Sequence, residues 1–434
     1  MINKLDVFIV SVLLVLAAGA LSRANSSKQA NANQSCPVWR QETLTNGLFG
    51  LGNSLAESGI EVGLSATQIY QQNARGGIST HRRAGRYSGS YDVELEVDFE
   101  KLFGIEGGRL YMLTEGKWSQ SAGINDPAVG SVFNVNGDGA PRRAIDITEL
   151  WYEQLFPAQE LRLRFGKLDL TCGFEHRNCP VSFDCSSYAN DETTQFLNGA
   201  LVNNPTIPFS ENGLGVAAHY EPDNFWYASV AVADAQADLR ETGFRTTFGG
   251  EDYFFYIAET GITPVFGSAN GSLPGAYRIG LWYDPQPKAS TDLADEGKSY
   301  RDDVGFYVTC DQMLAKENTD PQDSQGLGVF FRYGNADSSR NDITNFWSMG
   351  FQYQGLFDGR DDDVLGAGFA HGTFNDKASA TYTDDYESAF EVYYSVQVAP
   401  WLAISPDVQY VTNPGGDNSI DDAVVLGARV QMSF

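Results

Sequence analysis

From Ile60 to Phe434 apolar and polar side chains take turns along the chain with a period of two. Tyr91, Val93, Leu95, Val97 and Phe99 interleave with Asp92, Glu94, Glu96 and Asp98. Ile60, Val62, Leu64 and Ala66 interleave with Glu61, Gly63, Ser65 and Thr67. Near the end, Ser388, Phe390, Val392, Tyr394, Val396 and Val398 alternate with Glu387, Ala389, Glu391, Tyr393, Ser395 and Gln397. The last run sets Val424, Leu426, Ala428, Val430, Met432 and Phe434 against Val425, Gly427, Arg429, Gln431 and Ser433. Successive side chains of a strand point to opposite faces, so each run is a strand with one oily and one wet face. The runs have the length of about 9–11 residues that a tilted strand needs to cross a bilayer.

Beyond the first residues, no stretch reaches the roughly 18 apolar residues of a spanning helix. If the mature chain lies in a membrane, only a closed β-barrel satisfies its backbone there. Sixteen candidate strands begin near residues 60, 87, 108, 145, 161, 213, 224, 253, 275, 303, 326, 344, 363, 386, 401 and 423. An even number is what a single-chain bacterial barrel requires. The links alternate in length: short at 101–107, 157–160, 222–223, 267–275, 312–325, 357–363 and 399–400. They are longer at 73–86, 120–144, 171–212, 233–252, 285–302, 334–343, 375–385 and 413–422. Short turns on one rim and long loops on the other is the layout of an outer-membrane barrel. A soluble sandwich has no reason to sort its loops so, and no internal repeat points to a solenoid.

The start of the chain reads as an address. Lys4 precedes the apolar run Val7–Ala20, followed by small residues, and residues 1–24 are expected to be a cleaved signal peptide. Residues 25–59 form a polar lead-in and a short helix, with Leu48, Leu51 and Leu55 at helical spacing and Gly59 as its cap. Residues 60–434 are the barrel. Acidic residues outnumber basic ones 56 to 29, a net charge of -27, which repels phosphate backbones and excludes nucleic acid as a partner. The expected partners are outer-membrane lipid and small solutes.

The order of motifs resembles the carbohydrate-selective porins (OprB type) of Gram-negative outer membranes. The resemblance is carried by Leu55-Ala56-Glu57-Ser58-Gly59-Ile60, Gly76-Gly77, Asp98-Phe99-Glu100-Lys101-Leu102 with Gly107-Gly108, and Glu149-Leu150-Trp151-Tyr152-Glu153-Gln154. It continues through Leu163-Arg164-Phe165-Gly166-Lys167-Leu168-Asp169, Phe196-Leu197-Asn198, Ser405-Pro406-Asp407-Val408-Gln409-Tyr410 and Asn413-Pro414-Gly415-Gly416. Val425-Leu426-Gly427-Ala428-Arg429-Val430, running on to Phe434, completes it. The resemblance implies an all-β transmembrane antiparallel barrel of about 16 strands, a short N-terminal helix, a long loop folded into the lumen and passive uptake of sugars. Cys172, Cys179 and Cys185 in that loop depart from the family pattern.

A pore selects by what lines its narrowest point. With Leu150, Tyr152 and Phe156 facing lipid, Glu149, Trp151 and Glu153 turn inward. With Leu161, Leu163 and Phe165 facing lipid, Arg162 and Arg164 point to the lumen. Pairing Phe156 with Leu161 across the turn sets Glu153 opposite Arg164. Guanidinium forks fit paired hydroxyls, and an indole face suits a pyranose ring. The candidate sugar contacts are therefore Glu149, Trp151, Glu153, Arg162 and Arg164, with Arg278, Trp282 and Arg429 as secondary candidates. Asp92, Glu94, Glu96 and Asp98 read as a further acidic lumen wall.

Cys172, Cys179 and Cys185 lie close enough for one disulfide, with an odd partner left to reach Cys36; Cys310 reads as a buried thiol. Metal binding by the three loop cysteines with His176 lacks any CxxC spacing, and neither metal nor cofactor is expected. His81, His176, His219 and His371 are scattered without a catalytic pattern, so no enzyme is expected. Asp361-Asp362-Asp363 reads as a solvated turn. The expected function is a passive pore for small sugars in a Gram-negative outer membrane, as a monomer or homotrimer. A general cation-preferring porin and a structural or adhesive barrel are the alternatives.

Overall fold

The period of two becomes a sheet that closes on itself. The computed structural model describes residues 38–434, except 121, 177–178, 190–194, 242, 293–294, 296, 321–323 and 377–381. The expected signal segment and Cys36 lie outside the described residues. The first eight barrel strands are β1 (Ile60–Gly77), β2 (Gly85–Asp98), β3 (Gly108–Ser119), β4 (Arg143–Phe156), β5 (Leu161–Leu168), β6 (Gly213–Tyr220), β7 (Trp226–Asp234) and β8 (Phe254–Ile262). The rest are β9 (Gly271–Asp284), β10 (Asp303–Lys316), β11 (Gly326–Ala336), β12 (Ile343–Gln354), β13 (Val364–Phe374), β14 (Tyr386–Ala399), β15 (Leu402–Thr412) and β16 (Asp421–Ser433). Each pairs antiparallel with the next, and β16 pairs with β1, so among the described residues sixteen strands form a barrel with no free edge. The carbonyl of Leu64 accepts the N–H of Phe434, fastening the last residue into the seam at 2.9 Å.

The outer wall is oily. Phe165, Val216, Val230, Ile279, Leu281, Val304, Met349 and Leu426 stand exposed on the outer face, as a wall solvated by acyl chains requires. Cys310 shares this face in register with Tyr277 and is half-buried, not the buried thiol expected. A short ribbon of Val265–Ser268 against Gly271–Pro274 extends the sheet at the short-turn rim.

Three local expectations change. The helix spans Leu51–Glu57, because Gly47 and Gly50 adopt left-handed backbone and Leu48 leaves helical geometry. Leu55 alone of the three leucines is buried, against Ile60 and Val97, and Gly59 follows the helix end with φ 89°. β1 runs on to Gly77, not ending near Asn73, because its polar inward side chains find partners on a loop. Gln71 Nε2 donates to the Val135 carbonyl (2.8 Å) and Asn73 Nδ2 to that of Ala128 (2.8 Å). Gly76 and Gly77 have φ near 64° and 62°, and a Cβ there would strike the carbonyls of Asp422 and Ala128. Finally, the Asp triplet is not uniformly solvated: Asp361 and Asp362 are exposed, but Asp363 is buried. Asp363 accepts from Arg360 Nε (2.8 Å), Tyr394 OH (2.7 Å) and the N–H of Gln397 (2.9 Å).

The lumen is packed by two loops. The segment between β5 and β6 folds inward and carries a hairpin (Phe174–His176 with Cys179–Val181) and a helical turn (Gly199–Val202). The segment between β3 and β4, expected only as a long external loop, also turns inward and buries Phe133 and Val135. The two meet through Gly137 N–H to Leu197 O (2.8 Å) and Gly199 N–H to Asn134 O (2.9 Å).

Candidate functional site

The register places Glu153 directly across from Arg164, with Phe156 across from Leu161. Arg164 donates from Nε (3.1 Å) and Nη2 (2.9 Å) to one Glu153 oxygen. On the other side of β4, Arg109 faces Glu153 and approaches its second oxygen at 3.6 Å while reaching Glu96 at 3.4 Å. Trp151 lies inside this array. Its indole N–H donates to Glu149 (2.9 Å), Tyr111 stacks on it at 4.9 Å, and Arg164 sits 3.9 Å above its ring. The inward loop covers the other face of the guanidinium with Phe174, whose ring is 4.6 Å from Arg164 and 5.3 Å from Arg162. Arg162 in turn pairs with Glu221 at 3.3 Å.

Arg109, Arg162, Arg164, Glu96, Glu153 and Phe174 border one cavity of about 620 Å³ opening at the short-turn rim. That is within the roughly 300–1,000 Å³ of small-molecule sites. Glu153, Trp151 and Arg164 are buried beneath its surface, whereas Arg109 and Glu96 keep more than a third of their side chains in water. A second cavity of about 680 Å³, with Ser187, Tyr188, Met313 and Gln352 on its wall, lies on the other side of the inward loop.

The remaining candidates sit under that loop. Arg278 is buried, pairs with Asp311 (2.5 Å) and donates to the Pro180 carbonyl (2.9 Å). Arg429 donates to Gln195 O (2.6 Å), and Trp282 is buried against Phe255. Of the acidic wall, Asp92 accepts from Ser65 (3.1 Å), Glu94 is exposed, Glu96 meets Arg109, and Asp98 caps the turn Phe99–Phe103.

Sequence reasoning missed the carboxylates that hold the loops. Glu391 accepts the N–H groups of Leu197 and Asn198, both at 2.8 Å. Glu259 accepts from Ser182 N–H (2.8 Å), Tyr227 OH (2.6 Å) and Tyr307 OH (2.7 Å). Asp311 takes Ser186 Oγ (2.6 Å) and Ser187 N–H (3.1 Å), and Glu387 takes Ser131 Oγ (2.5 Å) and Val132 N–H (3.0 Å). Arg332, fully buried, donates to the Leu201 carbonyl at 2.6 Å and lies 3.4 Å from Asp184. The one signal for them in the sequence is an acidic residue inside an otherwise small or apolar inward row.

Cys172 and Cys185 form the loop disulfide, with Cα atoms 4.8 Å apart. That takes two of the three cysteines out of any thiolate metal set with His176. Cys179 is buried in the hairpin.

The profile of the carbohydrate-selective porin, OprB family matches residues 82–434. The chain belongs to that family. It is therefore an outer-membrane porin of the carbohydrate-selective type, a channel held in a Gram-negative outer membrane. Porin B of Pseudomonas aeruginosa is 26% identical over 456 residues, covering 97% of this chain and 96% of the relative. A putative porin, QuiX, of Acinetobacter baylyi is 23% identical over 72% of this chain and 74% of its own. The structure of Pseudomonas putida OprB at high pH superposes with a TM-score of 0.77 at 21% identity, covering 91% of this chain and 99% of that one. That likeness bears on the fold of this porin, a sixteen-stranded barrel.

Proposed function

We propose that this porin passes small neutral sugars by diffusion past the Arg109–Arg162–Arg164 face, with Arg109 and Arg162 as the hydroxyl contacts and Trp151 as the support beneath them. The observation that carries the reading is the Arg164 guanidinium held between Trp151 and Phe174 while paired to Glu153. Stacking and pairing fix the planar forks, so their N–H groups are presented without a further ordering cost. Arg109, Arg162 and Arg164 are matched by Glu96, Glu153 and Glu221 within 3.6 Å. A surface of locally balanced charge offers hydrogen bonds without selecting ions of one sign, which suits an uncharged polyol.

Glu149, Glu153 and Arg164 act in this reading as the fixed frame, and Arg278, Trp282 and Arg429 act on selectivity through the loop that they support. The test is block of single-channel current by glucose in planar bilayers. A hydrogen bond from a charged guanidinium is worth about 1.5–3 kcal/mol, so R162A and R109A should each weaken block by about ten-fold or more. Unchanged block in both variants removes them from the contact set. No block of the parent channel, with cations passing preferentially, favours a general cation porin.

A further inference from the structure

The inward hairpin touches the barrel wall at a second cluster, which adjoins the sugar face at Arg162. His219 lies at the end of β6, facing inward across from Arg162 and Ser229. Glu221 follows in the turn, its N–H bonded to Glu160 O at 2.9 Å. His176, from the hairpin, completes the group. Its Nδ1 is 3.0 Å and His219 Nε2 is 3.4 Å from the same Glu221 oxygen, and one nitrogen or oxygen from each residue lies within 4.8 Å of the others.

We infer that His176, His219 and Glu221 form a binding site for a divalent cation of the zinc class, which staples the inward loop to the barrel wall. The donor set, two imidazoles and one carboxylate, is one that zinc takes with a fourth position left to water. Bonds of about 2.0–2.2 Å in a tetrahedron set donors roughly 3.3–3.6 Å apart; the two nitrogen-to-oxygen separations here are 3.0 and 3.4 Å, and the whole set lies within 4.8 Å. The second observation is the state of His219. It is fully buried, and its Nδ1 is engaged by Ser229 Oγ at 2.8 Å, which orients the ring. Its Nε2 lies 3.4 Å from Glu221 but off the line of a hydrogen bond, and it has no hydrogen-bond partner among the described residues. A buried ring nitrogen left so is costly unless a ligand takes its lone pair.

Arg162 competes for the site, since its Nη2 lies 3.3 Å from the same Glu221 oxygen. A bound cation would take over that carboxylate and leave the guanidinium held by the Glu175 carbonyl alone, beside Phe174. Binding at the staple would thus be felt in the pore.

The experiment uses the full mature porin in detergent, stripped with chelator and titrated with zinc chloride in a calorimeter and with Co²⁺ by visible absorption. The expected result is one zinc per chain, displaced by chelator, and a Co²⁺ spectrum with the intensity of a four-coordinate site. H176N, a change confined to the loop, and E221Q should each lose about ten-fold or more in affinity. Heat-modifiable migration on gels shows whether each variant still forms its barrel. No zinc heat and no Co²⁺ spectrum in the parent protein would overturn the inference. Equal zinc affinity in parent and H176N would overturn it as well.

Discussion

Across β3–β6 the inward Arg109, Glu153, Arg162 and Arg164 pair among themselves or with Glu96 and Glu221, under aromatic rings and beside water. Across β8–β14 the inward Glu259, Asp311, Glu387 and Glu391 accept backbone N–H groups from the two loops and are buried. Both sectors carry charge at lumen positions, and the difference lies in the neighbours that the register supplies. Glu153 faces Arg109 and Arg164. Glu259 faces Gly280 and Ser229, Glu391 faces Gly368 and Gln409, and Glu387 faces Gly372. A carboxylate with guanidinium groups on both neighbouring strands, as Glu153 has, forms wall; Asp311, paired with Arg278 on one side and facing Ala276, still takes loop donors. A carboxylate beside small residues has room above it, and a loop descends to fill that room with donors.

The largest expected effect comes from undoing the second sector. E391A leaves the N–H groups of Leu197 and Asn198 without their acceptor, at about 1–3 kcal/mol each, and should free the inward loop. Single-channel conductance should rise and glucose block should fall together, by more than in R162A, where one loop carbonyl, that of Glu175, loses a donor. Equal conductance changes in E391A and R162A would break the distinction between the sectors.

Opening the disulfide is expected to matter less. Cys172 and Cys185 close a short loop whose span already rests on the wall at Glu259. For a loop of this length chain entropy sets a ceiling of about 3 kcal/mol. C172S/C185S should therefore lower the unfolding midpoint in denaturant and add current noise, while glucose block stays nearer the parent value than in E391A. A conductance rise matching that of E391A would show that the covalent link, not the carboxylates, holds the loop.

The smallest effect is set outside both sectors, in the short turn before β13. Burial acts to raise the Asp363 carboxyl, but hydrogen bonds from Arg360, Tyr394 and the Gln397 N–H outweigh it and hold the group below the ordinary carboxylate range. A depressed folded value means that its stabilisation is present above the unfolded pKa of about 3.9 and is lost as pH falls through the folded value. D363N should cost about 1–2 kcal/mol at neutral pH, with the gap to the parent closing below about pH 4 in denaturant titrations. Conductance should not change. A change there would mean that the short-turn rim also positions the pore.

The period of two placed every strand start within four residues and gave the inward assignment of Glu149, Trp151, Glu153, Arg162 and Arg164, because strand geometry is local. Even the Glu153–Arg164 register was legible, since a four-residue turn leaves one way to pair Phe156 with Leu161. The kinked start of the helix was less so, because Leu48 fits the helical spacing while Gly47 and Gly50 break the backbone.

What the sequence alone determined was which side of each strand meets lipid, a property of neighbouring residues and of hydropathy. Only the tertiary structure decided which inward charges line water and which hold a loop. It also brought His176 to His219 and Glu221, and the β3–β4 loop into the lumen. Those outcomes depend on groups far apart in the chain competing for one confined volume, where each buried donor or acceptor must find a partner, and no local pattern encodes which partner arrives.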